Sequence, residues 1–218
     1  MSWKAGVWSP PCPAHFRLRG IVAGLVLIVF GVGAIVIGAS GRSEVNTSLE
    51  REQIVGTPDM TPALIAESAK EAGLTGVTLP TCDVAGKAIS NGGEAKCFAS
   101  YMRIHALEAT GGKTYAEMPQ FATADGKGTS DAALAAKDPK TGGPQSNPER
   151  QVWVSETALG TALNTAFFAS SVGLFAIVMG AALLLTVIGF LVLTTGLLGS
   201  AGQRRKTDLP RGAAPMPT

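Results

Sequence analysis

A chain of 218 residues with 46% hydrophobic, 6% aromatic and 16% charged side chains and a formal net charge of +2 averages over unlike parts. Two apolar runs, Ile21 to Ala39 and Ala166 to Leu198, hold no charged side chain and bracket a polar stretch from residue 40 to residue 165. This division excludes a uniform soluble domain, leaves a small apolar core for whatever folds between the runs, and offers no basic patch for nucleic acid.

The chain therefore reads as mainly α: a two-transmembrane-helix hairpin carrying a small, disulfide-stapled helical extracytoplasmic domain and a disordered linker. Residues 1–19 form a cytoplasmic tail in which Lys4, Arg17 and Arg19 stand without an acid. The first span, 20–40, meets the requirement of about 20 apolar residues for roughly 30 Å of hydrocarbon. Gly38, Ala39, Ser40 and Gly41 are small enough for a signal peptidase. A cleaved signal usually has an apolar region of about 7 to 15 residues, so the longer run here favours an uncleaved signal anchor.

The extracytoplasmic domain is expected over 41–121. Ser43 to Gln53 reads as a short polar helix or a continuation of the span. Thr61 and Pro62 give an N-cap and a first-turn proline; Leu64, Ile65, Ala66, Ala69 and Ala72 keep helical spacing, and Gly73 with Leu74 supplies a left-handed stop. A second helix is expected from about Glu94 to Thr110, presenting Phe98, Tyr101, Met102, His105 and Ala109 on one face and ending at Gly111 and Gly112. Thr114 to Glu117 fits a capping box, and Pro119 limits any helix there to about one turn. Cys82 and Cys97 fall outside the membrane, where disulfides persist, whereas Cys12 falls inside. Their spacing fits neither a zinc site nor a redox pair, so a structural disulfide is expected.

Residues 122–150 read as a flexible linker, with Leu134 nearly alone as a large apolar residue and four basic side chains, Lys127, Lys137, Lys140 and Arg150. Asp131 to Lys137 could form a helical turn. Residues 151–198 come next as stalk plus second span. A helix capped at Ser155 and running to Leu198 would measure about 66 Å, twice the membrane core, so Glu156 to Phe167 should project as a stalk striped by Ala158, Leu159, Ala162, Leu163 and Ala166. Trp153 would anchor at an interface or cap the outer core. Residues 199–218 form a second cytoplasmic tail, in which Arg204, Arg205, Lys206 and Arg211 face only Asp208. The intervening polar stretch carries 11 Lys and Arg against 15 Asp and Glu. Basic residues at both outer flanks place both termini in the cytoplasm and the central domain outside a plasma membrane.

Small residues recur at four-residue spacing within the spans: Gly20 with Gly24, Ala34 with Gly38, Ala169 with Gly173, and Ala176 with Gly180. Such spacing lets helix backbones approach, either with a partner or between the two spans of this chain. Neither span holds an ionisable residue, which argues against a proton relay or ion path.

The run Met102-Arg103-Ile104-His105-Ala106-Leu107-Glu108-Ala109-Thr110-Gly111-Gly112-Lys113-Thr114-Tyr115-Ala116-Glu117, set between two spans, resembles an actinobacterial family of small two-span membrane proteins. Residues 54–61 and the second span share in it. Members often carry the label aromatic ring-opening dioxygenase, small subunit. The resemblance implies a plasma-membrane protein. An extradiol site needs two histidines and a carboxylate on iron. On the expected topology His15 and His105 lie on opposite sides of the membrane and cannot share a metal within one chain.

No catalytic, cofactor-binding or metal-ligating residue is expected, since Gly-x-Ser-x-Gly and a phosphate loop are both absent. The leading expectation is a non-catalytic accessory or interaction protein, partnered by the lipid bilayer and by another membrane or envelope protein or a further copy of itself. A second expectation is a ligand sensor, with Tyr101, Met102, His105, Glu108 and Tyr115 as the ligand or partner surface. A third is a metal enzyme using His105 and Glu108.

Overall fold

The computed structural model describes the backbone of residues 13–207 and the side chains of residues 19–193. Cys12, the His15 side chain and everything from Asp208 onward lie outside the described residues. Four helices and no strand stand among them: α1 (Pro13–Glu52), α2 (Pro62–Glu71), α3 (Gly92–Ala109) and α4 (Pro148–Thr207). Residues 13–39 and 175–207 form one compact unit, and Ser40–Leu174 forms the other.

The segments Arg19–Glu52 and Pro148–Leu193 are long and apolar enough to cross a membrane, with mean hydropathy 2.9 and 2.7 in their most apolar windows, of which only 6% is buried. A core helix of a soluble protein would be covered instead. In the first unit the helices meet at glycine. A Cβ added to Gly180 would lie 2.5 Å from the Gly31 carbonyl oxygen and 2.7 Å from Ile35; one added to Gly31 would lie 3.0 Å from the Gly180 carbonyl oxygen. Of the small residues predicted to pack, Gly180 takes part and Gly38 and Gly173 are buried, but Gly20 and Gly24 have nothing within 4 Å and Ala169 is exposed. Gly31, which four-residue spacing overlooks, lies seven residues from both Gly24 and Gly38. That interval matches the 3.5-residue period of left-handed helix pairs.

In the second unit α1 continues without a break through the segment from Ser43, and ends where Gln53 turns to φ +51. α2 obeys the local code closely. The Thr61 hydroxyl accepts from the Leu64 N–H at 3.3 Å, Gly73 adopts φ +68, and the N–H groups of Leu74 and Gly73 donate to the carbonyls of Ala69 and Lys70. Ile65 and Ala69 are its buried face. Between α1 and α2 the chain pairs with the segment ahead of α3: Ile89 N–H donates to Ile54 and Gly56 N–H to Lys87, each at 2.9 Å. A Cβ at Gly56 would fall on the Val84 carbonyl, so only glycine fits there.

α3 begins at Gly92, earlier than expected, because Asn91 caps it: its side chain accepts from the Glu94 N–H at 3.1 Å, while the Glu94 carboxylate accepts from the Ser90 N–H at 2.8 Å. Gly92 sits where a Cβ would lie 2.7 Å from the Ser170 side chain of α4. The buried arc of α3 also departs from the expected one. Phe98 and Tyr101 are buried, but Ile104 and Leu107 continue the stripe, Met102 and His105 are half-buried, and Ala109 is exposed. Ala95, Ala99 and Ala106 are buried as well, because alanine lets neighbours close in on more than one side of the helix.

Cys82 and Cys97 form the expected disulfide, with a Cα–Cα distance of 6.1 Å. One turn beyond Cys97, the Tyr101 hydroxyl donates to the Cys82 carbonyl at 2.6 Å, so one stretch of α3 holds this loop by two different bonds.

The residues from 122 to 147, expected as a disordered linker, take a hydrogen-bonded course. Phe121 pairs with Thr129 and Ser146; Ala122 N–H donates to Gln145, and Ala136 N–H to Ala122. Asp125, Asp131 and Asp138 each accept backbone N–H groups two or three residues ahead. Side-chain acceptors of this kind satisfy a backbone that has little apolar area to bury. The helical turn expected at Asp131 is a single turn closed by Leu134 N–H on the Asp131 carbonyl.

α4 starts at Pro148, seven residues before the expected cap at Ser155. Asn147 accepts from Glu149 N–H at 3.0 Å and Pro148 takes the first position, where no N–H is needed. Its 60 residues span about 90 Å. Trp153 is 4% exposed and joins the core; its indole N–H donates to the Lys113 carbonyl at 2.7 Å. Trp153 thus caps the core of the Ser40–Leu174 unit.

Candidate functional site

Three features of the Ser40–Leu174 unit hold polar or apolar groups in arrangements that could meet a ligand. The first is the histidine on α3. His105 Nδ1 lies 3.0 Å from a Glu108 carboxylate oxygen, three residues on along the same helix, and Nε2 lies 3.2 Å from Asp59 Oδ2. The contact to Asp59 is close but does not line up as a hydrogen bond, leaving Nε2 and Glu108 Oε1 buried without one. The Thr57 hydroxyl is the main reason the Asp59 carboxyl sits below its usual range, with its own backbone N–H and the nearby His105 adding to the effect against partial burial.

The two carboxylates approach opposite nitrogens of the imidazole ring, so they cannot converge with it on one metal ion. Among the described residues no group of three or more His, Cys, Asp or Glu is placed to hold a metal.

The predicted ligand surface is not assembled as one pocket. Tyr101 is completely buried beneath it, its phenol pushed up in pKa by burial and by the Asp83 charge, and its hydroxyl is committed to Cys82. Met102 packs on the core. Tyr115 is exposed and stacks under the Arg150 guanidinium at 3.9 Å. His105 and Glu108 are joined by a polar contact.

Comparison with family models, curated proteins and solved structures finds no match for this chain. What the unit can do chemically rests on its own side chains.

Two cavities lie elsewhere. One, of about 530 Å³, runs between the end of α1 and the stretch of α4 from Leu159 to Ala169. Val45, Leu49, Ile54, Leu159, Leu163 and Ala166 make its apolar floor, and Glu44 and Glu52 stand with them as its acidic side chains. Leu159, Ala162, Leu163 and Ala166 of the stripe predicted on α4 line one side; opposite them stand Val45 and Leu49 of α1, whose helix continues past the apolar run, and Ile54 just beyond its end.

The other cavity, of about 280 Å³, lies between α3 and α4 and is polar. Ser100 and Arg103 line it from α3; Glu156, Thr157, Thr161 and Asn164 line it from α4. Glu156 is 8% exposed, and its one hydrogen bond is a 3.4 Å contact from the Thr157 hydroxyl. Arg103 is held by stacking over the Trp153 ring at 5.2 Å. Nothing in the sequence marks this site, because Arg103 and Glu156 lie 53 positions apart and become neighbours only when α3 packs on α4.

Proposed function

We propose that this protein is a non-catalytic accessory protein of a plasma membrane, whose apolar helices form a two-pass hairpin and whose Ser40–Leu174 unit docks a helix of another membrane or envelope protein outside the cytoplasm. The single observation that carries the reading is the apolar cleft of about 530 Å³ between α1 and α4. An exposed cleft floored by Val45, Leu49, Ile54, Leu159 and Leu163 suits the helix-in-groove mode, in which a partner inserts side chains at three- and four-residue spacing. Glu44 and Glu52 select a partner helix that flanks its apolar stripe with Lys or Arg. The Cys82–Cys97 bond supports an extracytoplasmic unit, since disulfides persist in oxidising compartments. Basic residues in both tails support cytoplasmic termini.

The test is co-purification of the full chain from native membranes in mild detergent, alongside Ala162→Trp, which fills the cleft from an exposed position, and the charge reversal Glu44→Lys with Glu52→Lys. The reading predicts a stoichiometric partner with a basic amphipathic helix, lost from both variants. Recovery of monomer alone, of a homo-oligomer, of bound lipid without protein, or of a partner that both variants retain would overturn it.

A further inference from the structure

The polar cavity between α3 and α4 holds two opposite charges that do not touch. Glu156 is more than nine-tenths buried on α4, and Arg103 lines the same cavity from α3, yet among the described residues no ion pair within 4 Å joins them. The Glu156 side chain takes one direct hydrogen bond among the described residues, the long contact from the Thr157 hydroxyl to Oε2, which leaves Oε1 open to the cavity. Arg103 is exposed, and its guanidinium rests over the Trp153 ring rather than on Glu156. A ligand that brings a cation to Glu156 and an anion to Arg103 at once satisfies both.

We propose that this cavity binds a small zwitterion of the free amino acid or dipeptide class, its ammonium on Glu156 and its carboxylate on Arg103. The remaining lining fits that chemistry. The Ser100 and Thr157 hydroxyls, which donate to the Lys96 carbonyl and to Glu156, keep lone pairs that accept from an ammonium, and Thr161 adds a third hydroxyl. Asn164 gives its amide N–H to the Gly160 carbonyl at 2.8 Å, which leaves its oxygen as an acceptor. Gly160 leaves space beside the carboxylate: a Cβ there would already lie 3.5 Å from Glu156 Oε1, and anything longer would compete with the ligand. The volume of about 280 Å³ has room for about ten non-hydrogen atoms at ~30 Å³ per water-sized group, the size of an amino acid rather than a peptide chain.

The site is separate from the apolar cleft, and its test separates the two readings. The full chain in detergent, carrying Trp3→Phe and Trp8→Phe so that Trp153 is its one indole, is titrated with L-alanine, L-serine, L-glutamine and glycylglycine, and with ethylamine and acetate as singly charged controls. Because Arg103 lies on the Trp153 ring, occupancy should change its emission. The expected result is saturable binding of at least one zwitterion, at least tenfold tighter than either control. Glu156→Gln and Arg103→Met should each weaken it at least tenfold. Thr161→Phe, a blocking change at an exposed position, should abolish it with the helix signal intact, whereas Ala162→Phe, which fills the apolar cleft, should leave it unchanged. Absence of binding by all four zwitterions, ethylamine or acetate binding as tightly, or binding that survives Thr161→Phe would overturn the assignment.

Discussion

The two units of this chain obey opposite rules for the same kind of residue. In the unit made of residues 13–39 and 175–207, large apolar side chains such as Phe30, Ile37 and Phe190 point outward, and the helices meet through the backbone at Gly31 and Gly180. In the Ser40–Leu174 unit the large side chains point inward, Ile65, Ile89 and Tyr101 being essentially inaccessible, and a disulfide is added. On the proposed membrane location, the difference comes from the solvent. Where lipid surrounds a helix, an apolar side chain gains nothing by turning inward, and close backbone packing is the attraction left to it; in water, burial of apolar area is the main driving force, and a small core needs a staple.

Glycine substitutions probe that contrast, and the largest effect is expected in the water-facing unit. Gly56→Ala drives a methyl group into the Val84 carbonyl, so it should destabilise this unit by more than about 4 kcal/mol, read from its chemical unfolding curve. A stable, natively folded variant would show that the junction ahead of α2 yields more easily than its geometry implies. Reduction of Cys82–Cys97, or the pair of changes Cys82→Ser and Cys97→Ser, comes next. The closed loop of about 15 residues should be worth roughly 3 kcal/mol, and the same treatment should leave the helical signal of the apolar segments in place.

Gly180→Ala should act on the other unit and more weakly, by about 1 to 2 kcal/mol, because a helix pair can slide a little to admit one methyl group. Efficiency of an engineered cross-link across the Gly31–Gly180 contact reads it directly. Acid gives the smallest effect. Backbone and hydroxyl hydrogen bonds hold the carboxyls of Glu117, Asp125 and Asp138 below their ordinary values, with Thr114, Thr123 and Thr141 giving the largest share in turn. A depressed value means that these turns are supported at neutral pH and lose that support only as pH falls through the lowered values, beneath the ordinary carboxylate range. Amide exchange at Thr114, Lys127 and Thr141 should therefore depart from the intrinsic acid-limb trend there, while Ile65 and Ile104 should not.

Local chemistry made much of this legible in the sequence. The cap, proline and left-handed stop around α2 are spelled by Thr61, Pro62, Gly73 and Leu74, and both apolar helices and the cysteine pair can be read from composition and compartment. The features that escaped depend on distant partners. Gly92 reads locally as a helix breaker, yet it opens α3 because Ser170, 78 positions later, comes too close for a side chain. Gly31 needs Gly180 to explain it. Helical spacing puts Tyr101 on a ligand surface, but it cannot reveal that the Cys82 carbonyl waits beneath. Composition also misjudges the stretch from 122 to 147, because counting apolar residues overlooks order built from aspartate and threonine hydrogen bonds.

Thiol labelling in intact cells tests the proposed arrangement most directly, since Cys12 and the Cys82–Cys97 pair are assigned to opposite sides of one membrane. With a membrane-impermeant maleimide the account predicts no labelling before reduction, labelling of Cys82 and Cys97 after an impermeant reductant, and labelling of Cys12 only once the cells are opened. Labelling of Cys12 in unbroken cells, or of Cys82 and Cys97 without any reductant, would contradict it.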